Sequence, residues 1–418
     1  MIGIKLSAPW LVGVVCTAQV LVQIGAYTWP ALLPGYLQPW ALDYADAGWM
    51  TGAFYLAYVL SVPVLVPLTD RVDPRRVYLL GVTLTALAHL GFAVLAEGFW
   101  SAFTLRALAG IGWAGSYMTG LKLLADRVDD QQMSRAVTGH AAGVGIAGAL
   151  SFGFAGAVAT LAGPAGAFAV AAGAAGVALL VALFLIPPQP RLPTPSPRSG
   201  PQAARPKLFD FKPVFRNHSA MAYASAYCVH TWEMSALRGW AVAFLVWVAA
   251  TAPASGGAWV APTLAATLMG LFGTAASVTG NELSIRFGRA RLVRTAMLAA
   301  MGCALVIVWA GANAYWLAVV AVVVYGGVIW LDSSSLTAGT AGSAEPRRRG
   351  ATLAVHSMLG YAGGFLGPVV FGIVLDLSGG PSAFGWGVAF AHLAAIGLVG
   401  RIVFTRLGPA PLAGDNRP

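Results

Sequence analysis

Five ionisable residues lie deep inside long apolar stretches of this chain, where a charge is costly and therefore a candidate for function. They are Arg106, His230, Glu233, Arg238 and Asp332. A carboxylate can bind and release a proton, and an imidazole can relay one near neutral pH. An arginine can hold an anion or change the proton affinity of a nearby acid. This set predicts a buried site for a small solute and a proton.

Arg106 and Lys122 lie in the same apolar stretch, and each could have a structural role in place of a role in binding. Arg106 lies about six residues, or roughly 9 Å, below the end of this stretch at Trp100, so its side chain could reach out to water. Lys122 lies toward the opposite end, and reaching out to water is the favoured explanation for it.

The two acids have alternatives as well. Glu233 shares a helix face with His230 and could form a static network with His230 or Arg238. Asp332 lies in WLDSSSLTAG, roughly 25 Å along its stretch from Tyr315, and could cap a helix that restarts there.

Composition makes lipid the solvent for most of the chain. Only 10% of residues are charged and 58% are hydrophobic, whereas a soluble domain carries about 25% charged residues. The net charge of +10 lies in short loops, where it suits anionic headgroups better than a nucleic acid. We therefore expect a lipid bilayer around the protein and no nucleic-acid partner.

No pattern points to a cofactor, a metal or an enzyme active site. Cys16, Cys228 and Cys303 fall in apolar runs without metal spacing, so neither a disulfide nor a zinc site is expected. The sequence has no G-x-x-x-x-G-K-[ST] phosphate loop and no G-x-S-x-G nucleophile elbow.

Basic residues alternate between successive loops, which predicts the topology. They occur in these connections: Arg71, Arg75 and Arg76; Arg127 and Arg135; Arg191 to Arg216; Arg286 to Arg294; and Arg347 to Arg349. Lys5, Arg401, Arg406 and Arg417 place both termini on the same side. Because basic loops stay in the cytoplasm, we predict a multi-pass protein of a bacterial-type inner membrane with both termini cytoplasmic.

Twelve stretches are long enough to cross a bilayer as helices. They cover residues 10–33, 47–69, 77–96, 100–124, 134–160, 164–186, 217–249, 260–283, 291–311, 315–340, 350–375 and 384–406. The first is too long for a signal peptide and is expected to be retained.

A proline-rich segment divides these spans into two sets of six. Residues 1–186 and 214–418 are the predicted six-helix units, and 187–213 is the predicted cytoplasmic linker. An offset of 216 residues pairs Trp100 with Trp316 and His140 with His356. Two related six-span units are one known transporter architecture.

The loop after the second span carries a recognisable motif. Val66–Arg76 reads VPLTDRVDPRR, which resembles the signature of the major facilitator superfamily. The matching residues are Asp70, Arg71, Arg75 and Arg76. Val66 and Asp73 stand where glycines are usual. The resemblance implies a cytoplasmic gating latch, whereas the alternative is that these arginines only anchor the topology.

The fourth span strengthens the resemblance. RALAGIGWAG begins at Arg106 and resembles the superfamily's fourth-helix motif, with Ala109 in the region of the usual glutamine. The resemblance implies an all-α polytopic membrane protein whose twelve transmembrane helices form two pseudo-symmetric six-helix bundles. It also implies that spans 1, 4, 7 and 10 line a central cavity, and the five buried ionisable residues fall on three of these spans.

Spans 5 and 11 are rich in glycine, which allows close helix packing. The residues expected at the interface between the bundles are Gly143, Gly148, Gly360, Gly364 and Pro368. His140 and His356 near the ends of these spans are expected to be structural. Tyr27, Trp29, Tyr55, Tyr58 and Trp113 could line a cavity, although packing or interfacial anchoring is the commoner role.

We therefore predict a monomeric secondary transporter of a small-molecule substrate, driven by protons and working by alternating access. Two arginines suggest a small anion. The His-Trp-Glu and Asp-Ser-Ser segments are also similar to nitrate/nitrite porters, but spans 2 and 8 lack the arginines of that group, so nitrate itself is not expected. The alternatives are an exporter of amphipathic compounds and a non-transporting membrane sensor or assembly factor.

Overall fold

The structure is a computed structural model that describes residues 8–188, 211–251, 259–345, 348–412 and 415. Lys5, Arg347, Arg417 and most of the predicted 187–213 linker lie outside these residues. The regular elements in the described ranges are all helices. In chain order they are α1 (Ala8–Gln23), α2 (Thr28–Leu32), α3 (Pro34–Leu37), α4 (Tyr44–Leu68), α5 (Pro74–Leu95), α6 (Phe99–Ala125), α7 (Asp130–Leu185), α8 (Lys212–Phe215), α9 (His218–Thr251), α10 (Pro262–Phe287), α11 (Arg289–Asn313), α12 (Tyr315–Trp330), α13 (Ser333–Ser343), α14 (Arg349–Leu377) and α15 (Ala383–Leu407).

These helices confirm the predicted all-α fold with twelve crossings. Ten helical segments in the described ranges are long and apolar enough to cross a membrane. One of them, within α7, bends at Gly163, whose φ of 73° is open to glycine but costly for other residues, and Pro164 then starts a new helix. α7 is therefore two crossings. α6, which carries Arg106 and Lys122, is the remaining one.

Two of the predicted continuous spans are broken in the structure. The predicted span 10–33 is divided between α1 and α2, with residues 24–27 between them. The predicted span 315–340 is divided between α12 and α13 at residues 331–332. The length of an apolar stretch does not reveal such breaks, because the sequence stays apolar on both sides of each break.

The helices form two six-helix halves that meet along two pairs of helices. In the N-terminal half α6 packs on α4 and α5, while α7 packs on α1 and α5. In the C-terminal half α14 packs on α9, α10 on α12, and α15 on α11. Between the halves α4 packs on α14 and α7 packs on α10. In order along each half, α10 corresponds to α4 and α14 corresponds to the first part of α7. Each contact between the halves therefore joins one helix of each kind, and the arrangement is pseudo-symmetric.

Small residues bring these helix pairs together. Gly48 of α4 lies against the backbone of Pro368 in α14, and Gly156 of α7 lies against Thr263 of α10. Within the N-terminal half, Gly110 of α6 lies against the Phe54 carbonyl of α4. Backbones approach closely at such positions because no side chain separates them.

The two ends of the bundle differ in charge and in the contacts between α4 and α14. We call the end with Arg71 and Arg286 the basic end, and the end with Trp100 and Phe384 the neutral end. Between α4 and α14, glycine and ring contacts run from Gly48 near the neutral end to the Tyr58–Tyr361 ring pair in the middle. The contacts described between α4 and α14 thus lie in the part of these two helices from the middle of the molecule to the neutral end.

Replacing Gly110 by Ala tests the close packing of α6 on α4. The added methyl would overlap the Phe54 carbonyl oxygen, so we expect a loss of about 1–3 kcal/mol in stability and a lower melting temperature in a thermal-shift assay. Gly173→Ala is the matched control, since Gly173 is exposed and a methyl there meets no atom within 4 Å. Equal melting temperatures for the two variants would contradict the packing described.

Candidate functional site

The break between α1 and α2 is held by side chains from three other helices. A ring nitrogen of His89 lies 3.0 Å from the Gly25 carbonyl oxygen. Arg106 Nη1 donates to the Ala26 carbonyl at 3.4 Å, and the Tyr27 amide donates to Ser151 Oγ at 2.9 Å. Backbone groups freed by a broken helix need such partners in an apolar surrounding.

Arg106 points into the N-terminal half and not toward Trp100. Its side chain is buried, with the residue 4% exposed. Besides the bond to Ala26, its guanidinium lies over the Phe54 ring at 4.9 Å from the centroid. The alternative that Arg106 reaches out to water therefore does not describe its position in this structure.

Arg238 reaches the same break from the other half. Its Nη1 donates to the Tyr27 hydroxyl at 2.6 Å, and its guanidinium lies over the Trp330 ring at 4.6 Å. Arg106 and Arg238 thus contact adjacent residues, Ala26 and Tyr27. This is a meeting point of the two halves, with one guanidinium from each.

Neither arginine has a carboxylate partner within the described part of the chain. Stacking on a ring is worth roughly 0.5–2 kcal/mol, which does not replace a counter-ion for a buried cation. A small cavity beside Arg238 is also lined by Met234, Met269 and Trp330. The centre of the molecule therefore carries two positive charges that an anion would neutralise.

The second break brings a buried acid to a histidine. Asp332 lies between α12 and α13, and its Oδ1 is 2.9 Å from His230 Nδ1 of α9. Both residues are 4% exposed. Asp332 occupies the N-cap position of α13, but its side chain makes no cap hydrogen bond there. The carboxylate and the imidazole are thus in ion-pair contact, although the angles at these two atoms do not meet those of a hydrogen bond.

Glu233 lies apart from this pair. It is 4% exposed, and its Oε1 has no hydrogen-bond partner among the described residues. A methyl at Gly397 of α15 would lie 3.3 Å from that oxygen, so the carboxylate faces the interior of the C-terminal half. The structure shows no hydrogen bond from Glu233 to His230 or Arg238 in the ranges it describes.

The motif at the basic end joins three helices of the N-terminal half. Lys122 Nζ lies 3.6 Å from Asp70 Oδ1 and 2.7 Å from Asp126 Oδ1, so Lys122 reaches these acids at the basic end. Arg75 Nη2 donates to the Leu183 carbonyl of α7 at 2.5 Å. Arg71 and Arg76 are exposed.

Asp73, which stands where a glycine is usual, has its own role in this motif. Its Oδ1 caps α5 by accepting from the Arg75 amide at 3.0 Å, and it lies 3.4 Å from Arg127 Nη2. Burial lowers the pKa of the Arg127 guanidinium, and the Asp73 carboxylate opposes that shift. The departure from glycine thus adds an ion pair to the turn.

The glycines of spans 5 and 11 divide into two groups. Gly143 and Gly148 of α7 lie against Val20 and Tyr27 of their own half, and the nearest neighbour of Gly360 is also in its own half. These three differ from the expected placement between the halves, because other glycines of α7 face α10 and Gly360 faces α9.

Gly364 and Pro368 of α14 do lie between the halves. Gly364 packs on Tyr55 of α4, and Pro368 packs on Gly48. On α7 the corresponding contact is made by residues that the sequence analysis did not select, such as Gly153, whose amide donates to Thr267 Oγ1 of α10 at 2.8 Å. Helical spacing alone could not tell which of many glycines faces the other half.

His140 and His356 have different surroundings despite their matching positions. The ring nitrogens of His356 lie 3.0 Å from Thr340 Oγ1 and 3.3 Å from Thr337 Oγ1. His140 is fully buried, and neither ring nitrogen has a hydrogen-bond partner in the part of the chain described.

Asp376 closes the neutral end and was missed by the sequence analysis. Its carboxylate accepts from the Tyr44 amide at 3.1 Å and from the Ala45 amide at 2.6 Å, at the start of α4. An anion at a helix N-terminus is stabilised by the free amides and by the helix dipole. Because Asp376 ends α14, this contact ties one half to the other. An acid at the end of an apolar span was the only signal in the sequence.

A membrane-spanning fold of two six-helix halves, with broken helices around a charged centre, defines a secondary transporter. The family model "Major Facilitator Superfamily" matches residues 15–368. The chain belongs to this superfamily, as its motifs predicted, and is a multi-pass membrane transporter of solutes.

Known relatives and solved structures agree with this family. YwoD, an MFS-type transporter of Bacillus subtilis, is 28% identical over 93 residues, which cover 22% of this chain and 20% of YwoD. Protein spinster homolog 1 of Bos taurus is 25% identical over 239 residues, which cover 56% of this chain and 45% of that protein. The matches therefore span less than half the length of these relatives.

Two solved structures share the fold. One is a bacterial homolog to the human lysosomal transporter Spinster in an inward-facing, unoccupied conformation, with a TM-score of 0.80 and 15% identity over 97% of this chain and 98% of that chain. The other is the nucleoside transporter NupG, with a TM-score of 0.72 and 17% identity over 95% of this chain and 98% of that chain. At these identities the likeness concerns the fold alone.

Replacing Asp376 by Asn tests its role in closing the neutral end. Loss of the charge weakens the contact with α4 by up to about 2 kcal/mol, so the halves should separate there more often. We expect a longer component in the distance distribution between spin labels at Trp100→Cys and Phe384→Cys, in a background without Cys16, Cys228 and Cys303. Both label positions are exposed and lie in different halves.

Asp43→Asn is the control for this measurement. The Asp43 carboxylate caps α4 within its own half by accepting from the Asp46 amide at 2.6 Å. It should leave the distance distribution unchanged. An Asp376→Asn protein with the parental distribution would show that this contact does not hold the halves together.

Proposed function

We propose that this transporter carries a small organic anion, coupled to protons, by alternating access of its two halves. The observation that carries the proposal is the meeting of Arg106 and Arg238 at Ala26 and Tyr27, both buried and neither with a carboxylate partner among the residues that the structure describes. Each arginine comes from a different half. An anion bound between them would therefore touch both parts that move.

Anion binding could change the conformation by replacing a contact between the two halves. In this structure Arg238 donates to Tyr27 of the opposite half at 2.6 Å. An anion offers stronger, charge-assisted acceptors to both guanidinium groups and can replace that contact. A ligand drives a switch only when it binds the two conformations differently, and a site shared between two moving halves meets this condition.

Proton coupling is assigned to His230 and Asp332. Their 2.9 Å contact lies at the break between α12 and α13, where helix α13 could move relative to α12. Trp330 links this pair to the anion site, because Arg238 lies over its ring at 4.6 Å and the His230 ring is 6.2 Å away. Protonation of the pair changes the charge beside the anion and so its affinity.

The remaining parts of the proposal concern orientation and organisation. We place the basic loops, and with them the basic end of the molecule, in the cytoplasm. We propose an inner-membrane protein with both termini cytoplasmic, acting as a monomer because each chain carries both halves of the site. The division into 1–186, a linker at 187–213 and 214–418 belongs to the same proposal.

Removing either arginine charge tests the anion site. We expect Arg106→Gln and Arg238→Gln each to lower the exchange of a radiolabelled small acid about tenfold to 100-fold in proteoliposomes, because each loses a charge-assisted contact with the anion. The panel of acids includes acetate, lactate and benzoate. Arg286→Gln, at an exposed position of the basic end, is the control and should retain exchange. Parental rates in both site variants would refute the anion site.

Replacing Asp332 by Asn tests proton coupling. A neutral amide cannot take up and release the proton, so accumulation driven by a pH gradient should fall to simple equilibration while exchange at equal pH persists. Glu233→Gln in the same assay tests the other buried carboxylate, which the sequence also nominated. Loss of accumulation in Glu233→Gln alone would move the coupling site to Glu233. Undiminished accumulation in both variants would argue against coupling through either acid.

A further inference from the structure

A continuous series of rings descends from Arg106 in the N-terminal half. The Arg106 guanidinium lies over Phe54, and Phe54 stacks on Trp113 with ring centroids 5.2 Å apart. Trp113 stacks on Tyr117 at 5.5 Å and an interplanar angle of 15°. Tyr117 stacks on His140 at 5.7 Å. We call these four rings the N-ladder.

A second series descends from Arg238 in the C-terminal half. The guanidinium lies over Trp330, whose ring meets the His230 ring edge-on at 6.2 Å. His230 stacks on Tyr227 at 5.7 Å and 12°, and Tyr227 stacks on His356 at 4.0 Å and 14°. We call these four rings the C-ladder. The two ladders end at His140 and His356, which the internal repeat relates.

The ladders face each other across the space between the halves. Tyr58 of α4 and Tyr361 of α14 join the halves through ring centroids 4.0 Å apart. Trp113 touches both of them, at 4.6 Å and 5.7 Å. Trp113, Tyr117 and Tyr361 are each partly exposed although they lie at this junction of the halves.

Anchoring at the bilayer surface does not explain these rings. Tryptophans that serve the lipid face are far more exposed, such as Trp100 at 77% and Trp309 at 63%. Packing alone does not explain them either, because the Trp113 indole nitrogen is buried without a hydrogen-bond partner in the described structure. The ladders instead place aromatic rings along the junction of the two halves, and a guanidinium lies at one end of each ladder.

We infer that the transported anion is a planar aromatic acid, with its carboxylate at Arg106 and Arg238 and its ring between the two ladders. This inference rests on the proposed anion transport and names the substrate class for the same site. An apolar wall of any shape would favour a saturated and an aromatic acid alike. Stacked rings favour the flat one, because aromatic pairs gain free energy beyond simple burial.

Benzoate and cyclohexanecarboxylate separate these cases, since they share size and charge and differ in planarity. Binding of each to the purified full chain in lipid nanodiscs is measured by calorimetry, and each is tested as a competitor of acid exchange. We expect benzoate to bind about threefold to tenfold more tightly. Equal affinity for the two acids would overturn the inference.

Two variants of aromatic residues test whether these rings cause the preference for benzoate over cyclohexanecarboxylate. Trp113→Leu and, separately, Tyr361→Leu should bring the affinity ratio close to one while binding of cyclohexanecarboxylate is retained, which also shows that each variant is folded. Trp100→Leu, on the lipid face, is the matched control and should keep the parental ratio. A parental ratio in both ring variants would overturn the assignment to the ladders.

The outcome also distinguishes this inference from the function on which it rests. If both acids bind and Arg106→Gln weakens both equally, but benzoate has no advantage, only the aromatic preference fails. If no acid binds and none is exchanged, the anion proposal fails and the inference falls with it.

Discussion

The convergence of two guanidinium groups, neither with a carboxylate partner among the described residues, on one break in a helix is the constraint on which the site depends. Arg106 donates to the Ala26 carbonyl oxygen, which has no helical donor because Pro30, four residues further on, lacks an N–H group. Arg238 donates to the hydroxyl of the next residue, Tyr27. The break thus has a cation from each half at the same point.

The second break, at residues 331–332, has a different role in the C-terminal half. It places Asp332 beside His230 in surroundings that exclude water from both. A charge buried in this way is tolerated only when a partner or a proton compensates it. Transporters commonly place solute and ion sites at such discontinuous helices. Here Arg106 and Arg238 reach one break and Asp332 lies at the other, with the Trp330 ring between Arg238 and His230.

Closure at the neutral end depends on interactions that are weak one by one. The Asp376 contact with the first turn of α4, the Arg238–Tyr27 hydrogen bond and the glycine contacts of α4 with α14 all cross between the halves. Each is worth at most a few kcal/mol. A transporter requires such a balance, since two conformations can exchange only when neither is held too firmly.

The sequence by itself determined the class of the molecule: twelve apolar spans, two related sets of six, the superfamily motifs and the few ionisable residues that a membrane interior tolerates. These follow from local composition, because lipid selects against charge wherever a helix crosses it. Only the tertiary structure decided which of those residues meet. It paired Asp332 with His230, separated Glu233 from both, and brought Asp376 to a helix 331 residues away in the chain. Such contacts depend on helix rotation and on where helices break, and hydropathy reports neither.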